Sequence, residues 1–208
     1  MISQEEYLLN PCRVSSIPYW KMLQTAVPEG MQILHGEDFC VEMLAQYTDE
    51  PYFRLKHDLR ELAPAVLPAG YALRPATPEE MAAHIRSCYG NGMTAAQVQA
   101  FTQRGVYRPW LWLAVCQAET NQIVATGIAE LDGKRQEGVL EWIQVSAQHR
   151  KRGLGNFLVR ELLWRLQTEA KFATVSGQCN NPTNPEGLYR KCGFVGNDVW
   201  HVLTKIRE

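Results

Sequence analysis

The sequence has no CxxC pair, no apolar run of membrane-spanning length and no large excess of either charge. The six cysteines (Cys12, Cys40, Cys88, Cys116, Cys179 and Cys192) are dispersed. That argues against a zinc site or a compact disulfide framework, so no metal is expected and free thiols are the default. The most apolar stretch, Trp110 to Cys116, is far short of the roughly 20 residues a spanning helix needs and reads as a buried strand, so no membrane partner is expected. Met1 to Glu6 has neither a basic n-region nor an apolar h-region, so no signal peptide is read and a cytoplasmic location is expected. With 21 Lys plus Arg against 22 Asp plus Glu, the formal charge of -1 lacks the broad basic footprint of a nucleic-acid binder. Internal repeats and low-complexity segments are also missing. What is present is an ordinary folded composition, 46% apolar and 21% charged over 208 residues.

Ala63 to Gly70 holds two prolines and a glycine within eight residues, where neither a helix nor a central strand would persist. The expected organisation is an N-terminal extension over 1–68, packed on a main domain over 69–208. Residues 1–62 carry Trp20, Tyr47, Tyr52 and Phe53, too aromatic for a solvated linker, and the acids Glu37, Asp38, Asp49 and Glu50. Burial explains the aromatics most simply, and the acids would attract a cationic amine.

Downstream, Tyr71 to Arg74 reads as a strand, and Thr77-Pro78-Glu79-Glu80 opens a helix that runs to about Tyr89. A second helix spans Thr94 to Gln103. Trp110 to Gln117 and Ile123 to Leu131 read as a hairpin, followed by a turn at Asp132-Gly133 and a strand over Val139 to Val145. Leu154, Leu158, Leu162 and Leu166, widened by Phe157, Val159 and Leu163, define an amphipathic helix with a Glu161–Arg165 pair. Phe172 to Gly177 is a strand, Asn184-Pro185-Glu186 opens a short helix, and Val199 to Ile206 is the last strand. This alternation implies a mixed α/β sheet with helices on both faces.

Between the strand ending at Val145 and the leucine-striped helix lies Arg150-Lys151-Arg152-Gly153-Leu154-Gly155-Asn156. Its chemistry is anion binding: glycines allow close backbone approach, and the unpaired N–H groups of a helix's first turn favour a phosphate. Three consecutive basic residues would suit a further phosphate. A Walker A loop is absent, and Leu158 occupies the place of a dinucleotide fingerprint's third glycine. Taken alone, such a loop is more often a solvated basic turn.

The loop's setting, and Leu188-Tyr189-Arg190-Lys191-Cys192-Gly193-Phe194 after the next strand, together resemble the GNAT superfamily of acyl-CoA-dependent N-acyltransferases over roughly residues 70–204. The resemblance implies a GNAT-type fold, a mostly antiparallel central sheet flanked by helices, with acetyl-CoA as co-substrate. It implies that Arg150, Lys151, Arg152, Gly153, Leu154, Gly155 and Asn156 hold the coenzyme A pyrophosphate, and that the backbone of Ile143 and Val145 binds the pantetheine arm. Many members carry an Asn before the LY pair where Pro182 stands here. Asn181 or Asn184 would then supply that contact, and Asn184 is equally an N-cap ahead of Pro185.

A primary amine is mostly protonated at pH 7, so a base is useful. Glu141, on the strand entering the loop and by alternation on the same face as Ile143 and Val145, resembles the strand carboxylate of some members; otherwise it is a half-exposed strand residue. Tyr189 would protonate the departing thiolate, or else pack in the core with its hydroxyl satisfied. The expected activity is direct transfer of acetyl from acetyl-CoA to a small-molecule or protein amine. The acceptor side would be built from residues 76–108 and 1–62, and self-association is left open. The alternative is a non-catalytic acyl-CoA-binding module with a protein partner.

Overall fold

The computed structural model describes residues 2–90 and 92–206. The fold is mixed α/β, with eight strands in an open, mostly antiparallel sheet flanked by helices. By contact density the chain divides into two units that interleave along the sequence: residues 1–57 with 174–208, and residues 58–173. Among the described residues no helix is long and apolar enough to cross a membrane.

The first unit opens with three short helices, α1 (Gln4–Leu9), α2 (Pro11–Val14) and α3 (Tyr19–Met22). Ser3 and Glu6 cap α1 reciprocally, which satisfies two otherwise orphaned backbone donors. Strands β1 (Met31–His35) and β2 (Tyr47–His57) both pair antiparallel with β8 (Val195–Lys205). β8 begins four residues before the expected start at Val199. The Val-Gly-Asn-Asp opening has little strand propensity, but its register against β2, Asp198 opposite Arg54 and Val195 opposite Lys56, imposes the strand. Trp20 and Phe53 are buried. Three of the acids are engaged within this unit: Glu37 with Arg13, Asp49 with His201 at 2.8 Å, and Glu50 with the Tyr52 hydroxyl at 3.2 Å. At the centre, the buried Arg54 guanidinium donates to Tyr7, Ser16, Thr174 and Ser176.

In the second unit, β3 (Tyr71–Arg74), β4 (Trp112–Gln117), β5 (Ile123–Asp132) and β6 (Glu137–Val145) form an antiparallel succession. Helix α4 (Pro78–Tyr89) starts on a Thr77/Glu80 capping box and stops at Gly90, whose φ of 64° is the left-handed conformation glycine accepts. Helix α5 (Ala95–Phe101) has the same kind of box, from Thr94 and Gln97. Met81, Ala82 and Ile85 of α4 and Val98 of α5 pack on Ala114 and Ile128. Helix α6 (Leu154–Leu166) buries all seven residues of the expected stripe, and Arg165 meets Glu161 at 2.7 Å. β5, buried throughout after its first residue, therefore separates an α4 face from an α6 face. Strand β7 (Phe172–Gln178) leads back into the first unit, where α7 (Pro185–Lys191) precedes β8.

Candidate active site

The phosphate-binding candidate lies wholly in the second unit. β6 ends at Val145, a single 3-10 turn covers Ala147–His149, and the chain then turns into α6. Gly153 occupies the N-cap with φ 85°, and no side chain caps the helix. The N-cap residue therefore supplies no side-chain acceptor to the first-turn N–H groups. Arg150, Lys151 and Arg152 are all exposed around this N-terminus. Leu154 is buried, so any contact from it with a ligand comes from its backbone. A glycine N-cap, an uncapped helix start and three exposed cations fit a pyrophosphate.

The loop is held from outside its own sequence. The Tyr71 hydroxyl on β3 bonds His149 Nδ1 at 3.0 Å and accepts from Arg152 at 3.4 Å, while Arg150 Nε donates to the Val145 carbonyl at 3.1 Å. Pro68 lies beside the loop, its Cγ 3.4 Å from where a Cβ on Gly153 would sit.

Glu141 departs from the expected face. Gln144 pairs with Thr126 and Glu141 with Ile128, so Trp142 and Ile143 together oppose Gly127, and Trp142 takes φ 48°. This is a β-bulge, which inverts the alternation of side chains. Directly paired residues share a face, so Glu141 stands with Ile128 on the α4 side. Ile143 turns to the α6 side, where its Cδ1 would lie 3.0 Å from a Cβ on Gly127. The expectation that Glu141 shares a face with Ile143 and Val145 is therefore corrected. Gly127 was the available sequence signal, since a strand-interior glycine marks a bulge or a close approach. The Ile143 carbonyl accepts from the Tyr89 hydroxyl at 3.3 Å and the Val145 carbonyl from Arg150.

Beneath the bulge, His84 of α4 bonds Thr126 at 2.8 Å through Nδ1 and Ser146 at 3.0 Å through Nε2. Gln144 Nε2 donates to the same Thr126 hydroxyl. Burial pushes the His84 pKa below its ordinary value, which keeps the ring neutral at pH 7. Sequence reading missed this histidine, because a lone His on a helix face carries no partner signal.

Tyr189, Asn181 and Asn184 belong to the first unit. Asn184, at φ 49°, caps α7 by accepting from the Gly187 N–H at 3.0 Å. Asn181 Oδ1 accepts from the Thr183 backbone at 2.9 Å and from its hydroxyl at 2.7 Å. Both side-chain oxygens thus shape the turn before α7. Tyr189 is buried, with its ring centroid 6.1 Å from Phe53 and 5.7 Å from Phe194. Gly193, at φ 98°, ends the helix where a Cβ would lie 2.7 Å from His57 Nε2, so the glycine of Leu188 to Phe194 answers a steric demand.

The bulged strand β6 thus runs into a glycine-started helix whose first turn suits an anion, within a mixed α/β sheet. Residues 110–196 match the family model of the acetyltransferase (GNAT) domain. No curated protein sequence matches it. Among solved structures, a GCN5-related N-acetyltransferase from Sphaerobacter thermophilus superposes with a TM-score of 0.68 at 18% identity, over 91% of this chain and 64% of that one. A Drosophila protein gives 0.63 at 18% identity, over 90% and 65%. A GNAT-family acetyltransferase from Colwellia psychrerythraea gives 0.59 at 15% identity, over 98% and 72%. The chain spans less than two thirds of the first two of these proteins.

Proposed function

We propose that this protein is an N-acetyltransferase that moves acetyl from acetyl-CoA to a primary amine by direct transfer. The observation that carries the reading is the uncapped, glycine-started N-terminus of α6 ringed by Arg150, Lys151 and Arg152, a built position for the coenzyme's pyrophosphate. Glu141, directly or through water, takes a proton from the ammonium. The amine nitrogen then attacks the thioester carbonyl carbon, the C–S bond breaks, and Tyr189 donates a proton to the leaving thiolate. The products are an amide and free coenzyme A. Asn181 and Asn184 act through the turn they stabilise, and backbone groups of Ile143 and Val145 bind the pantetheine arm.

Tyr189→Phe tests the acid. It is expected to lower kcat by roughly 10- to 1,000-fold with an unchanged KM for acetyl-CoA, as for a group used only in the transition state. Steady-state coenzyme A release measures it, and unchanged turnover would assign the ring to packing alone. Glu141→Gln should slow the same assay most at low pH, where amine deprotonation limits the rate. A pH profile of unaltered shape and height would remove Glu141 as the base.

A further inference from the structure

A chain of hydrogen bonds runs from the buried middle of the sheet to the cations of the loop before α6, all within the second unit. Gln144 Nε2 donates to the Thr126 hydroxyl, Thr126 meets His84 Nδ1 at 2.8 Å, and His84 Nε2 meets Ser146 Oγ at 3.0 Å. Ser146 is the first residue past β6 and the cap of the 3-10 turn that opens the loop. Its N–H donates to the Val124 carbonyl and its carbonyl accepts from the His149 N–H, both at 2.9 Å. His149 Nδ1 then bonds the Tyr71 hydroxyl at 3.0 Å, and that hydroxyl accepts from Arg152 at 3.4 Å.

His84 is the link that comes from a helix. Its neighbours Met81, Ala82 and Ile85 on α4 pack on Ala114 and Ile128, so the buried ring is held from behind. One nitrogen faces β5 and the other the exit of β6. A neutral imidazole offers one donor and one acceptor, and a hydroxyl at each end takes either role, so both contacts are satisfied in either tautomer. The Cys88 thiol approaches Nε2 at 3.7 Å, a weaker contact.

We infer that His84 is a positioning residue for coenzyme binding: through Ser146 it fixes the start of the loop, and with it the cations and the glycine-started turn of α6. This rests on the reading of that loop as the pyrophosphate site. A loop that must order as its ligand binds loses affinity to the ordering, and a pinned loop does not. The competing role for the ring is a core tie between α4 and β5 through Thr126 alone. Two isosteres separate the roles. Asparagine reproduces the Nδ1 position and keeps the Thr126 contact, whereas glutamine reaches the Nε2 position and keeps Ser146.

The test is the Kd of coenzyme A by calorimetric titration, with unliganded melting temperatures read beside it. His84→Asn and Ser146→Ala should each raise Kd by about 3–10-fold, the worth of one neutral hydrogen bond. His84→Gln should stay within about 2-fold of the wild type. The double variant, His84→Asn with Ser146→Ala, should bind no more weakly than either single one, because both remove the same contact. Should His84→Asn not fold, Ser146→Ala carries the measurement. A folded His84→Asn or Ser146→Ala protein with the wild-type Kd, equal losses in His84→Asn and His84→Gln, or additive losses in the double variant would each overturn the assignment and leave His84 a core residue. A wild type that binds no coenzyme A would instead overturn the loop reading beneath it.

Discussion

Gly155→Glu is expected to abolish the rise in melting temperature that saturating acetyl-CoA gives the wild type. Gly155 lies in the first turn of α6 with no left-handed backbone to protect. A glutamate there improves helix propensity and complements the dipole, and the unliganded variant should melt no lower than the wild type. The ligand effect is different, because the new carboxylate enters the pyrophosphate position and repels it. A ligand at 100 times its Kd stabilises by about 2.7 kcal/mol, which for a chain of this size is roughly 5–10 °C. The whole of that increment should vanish. Gly153→Glu is a poorer probe, since φ 85° would add strain unrelated to the ligand. A folded Gly155→Glu protein that keeps its shift would show that the loop does not bind the cofactor.

Arg54→Ala is expected to cost about 3–5 kcal/mol of folding stability, the range for breaking a buried charged network. The guanidinium is 1% exposed. It donates to the Tyr7 hydroxyl at 3.0 Å, the Ser16 carbonyl at 3.1 Å, Ser176 Oγ at 3.2 Å and Thr174 Oγ1 at 3.5 Å. Truncation leaves these groups without that donor and opens a cavity beneath α1. Because Tyr7 and Ser16 come from the N-terminal segment, the same side chain explains why that segment is part of a packed unit and not a tail. Denaturant titration reads the effect, and a loss below about 1 kcal/mol would contradict the account.

Periodicity and capping made the second unit legible. The leucine stripe of α6, the Thr77 cap and the hairpin before Asp132 are each local signals that tertiary packing reinforces. The candidate phosphate loop was legible for the same reason, since glycine, basic residues and a following amphipathic helix lie within a few positions. Three features were not legible. The bulge at Trp142 reverses which face Glu141 occupies, and only Gly127, a strand away, hinted at it. The grip of Tyr71 and Pro68 on the loop joins residues about 80 apart in sequence. Arg54 reads as one more charged residue in a strand, and its burial depends on partners contributed by three separate segments.

The central claim is catalysis, and coenzyme A thiol release by the wild-type protein, measured with acetyl-CoA in the presence and absence of primary amines, tests it most directly. The account predicts amine-dependent release, with the acetylated amine as the matching product. Acetyl-CoA binding without release above the amine-free rate across aryl, alkyl and peptide amines would contradict it and make the protein a non-catalytic acyl-CoA-binding module.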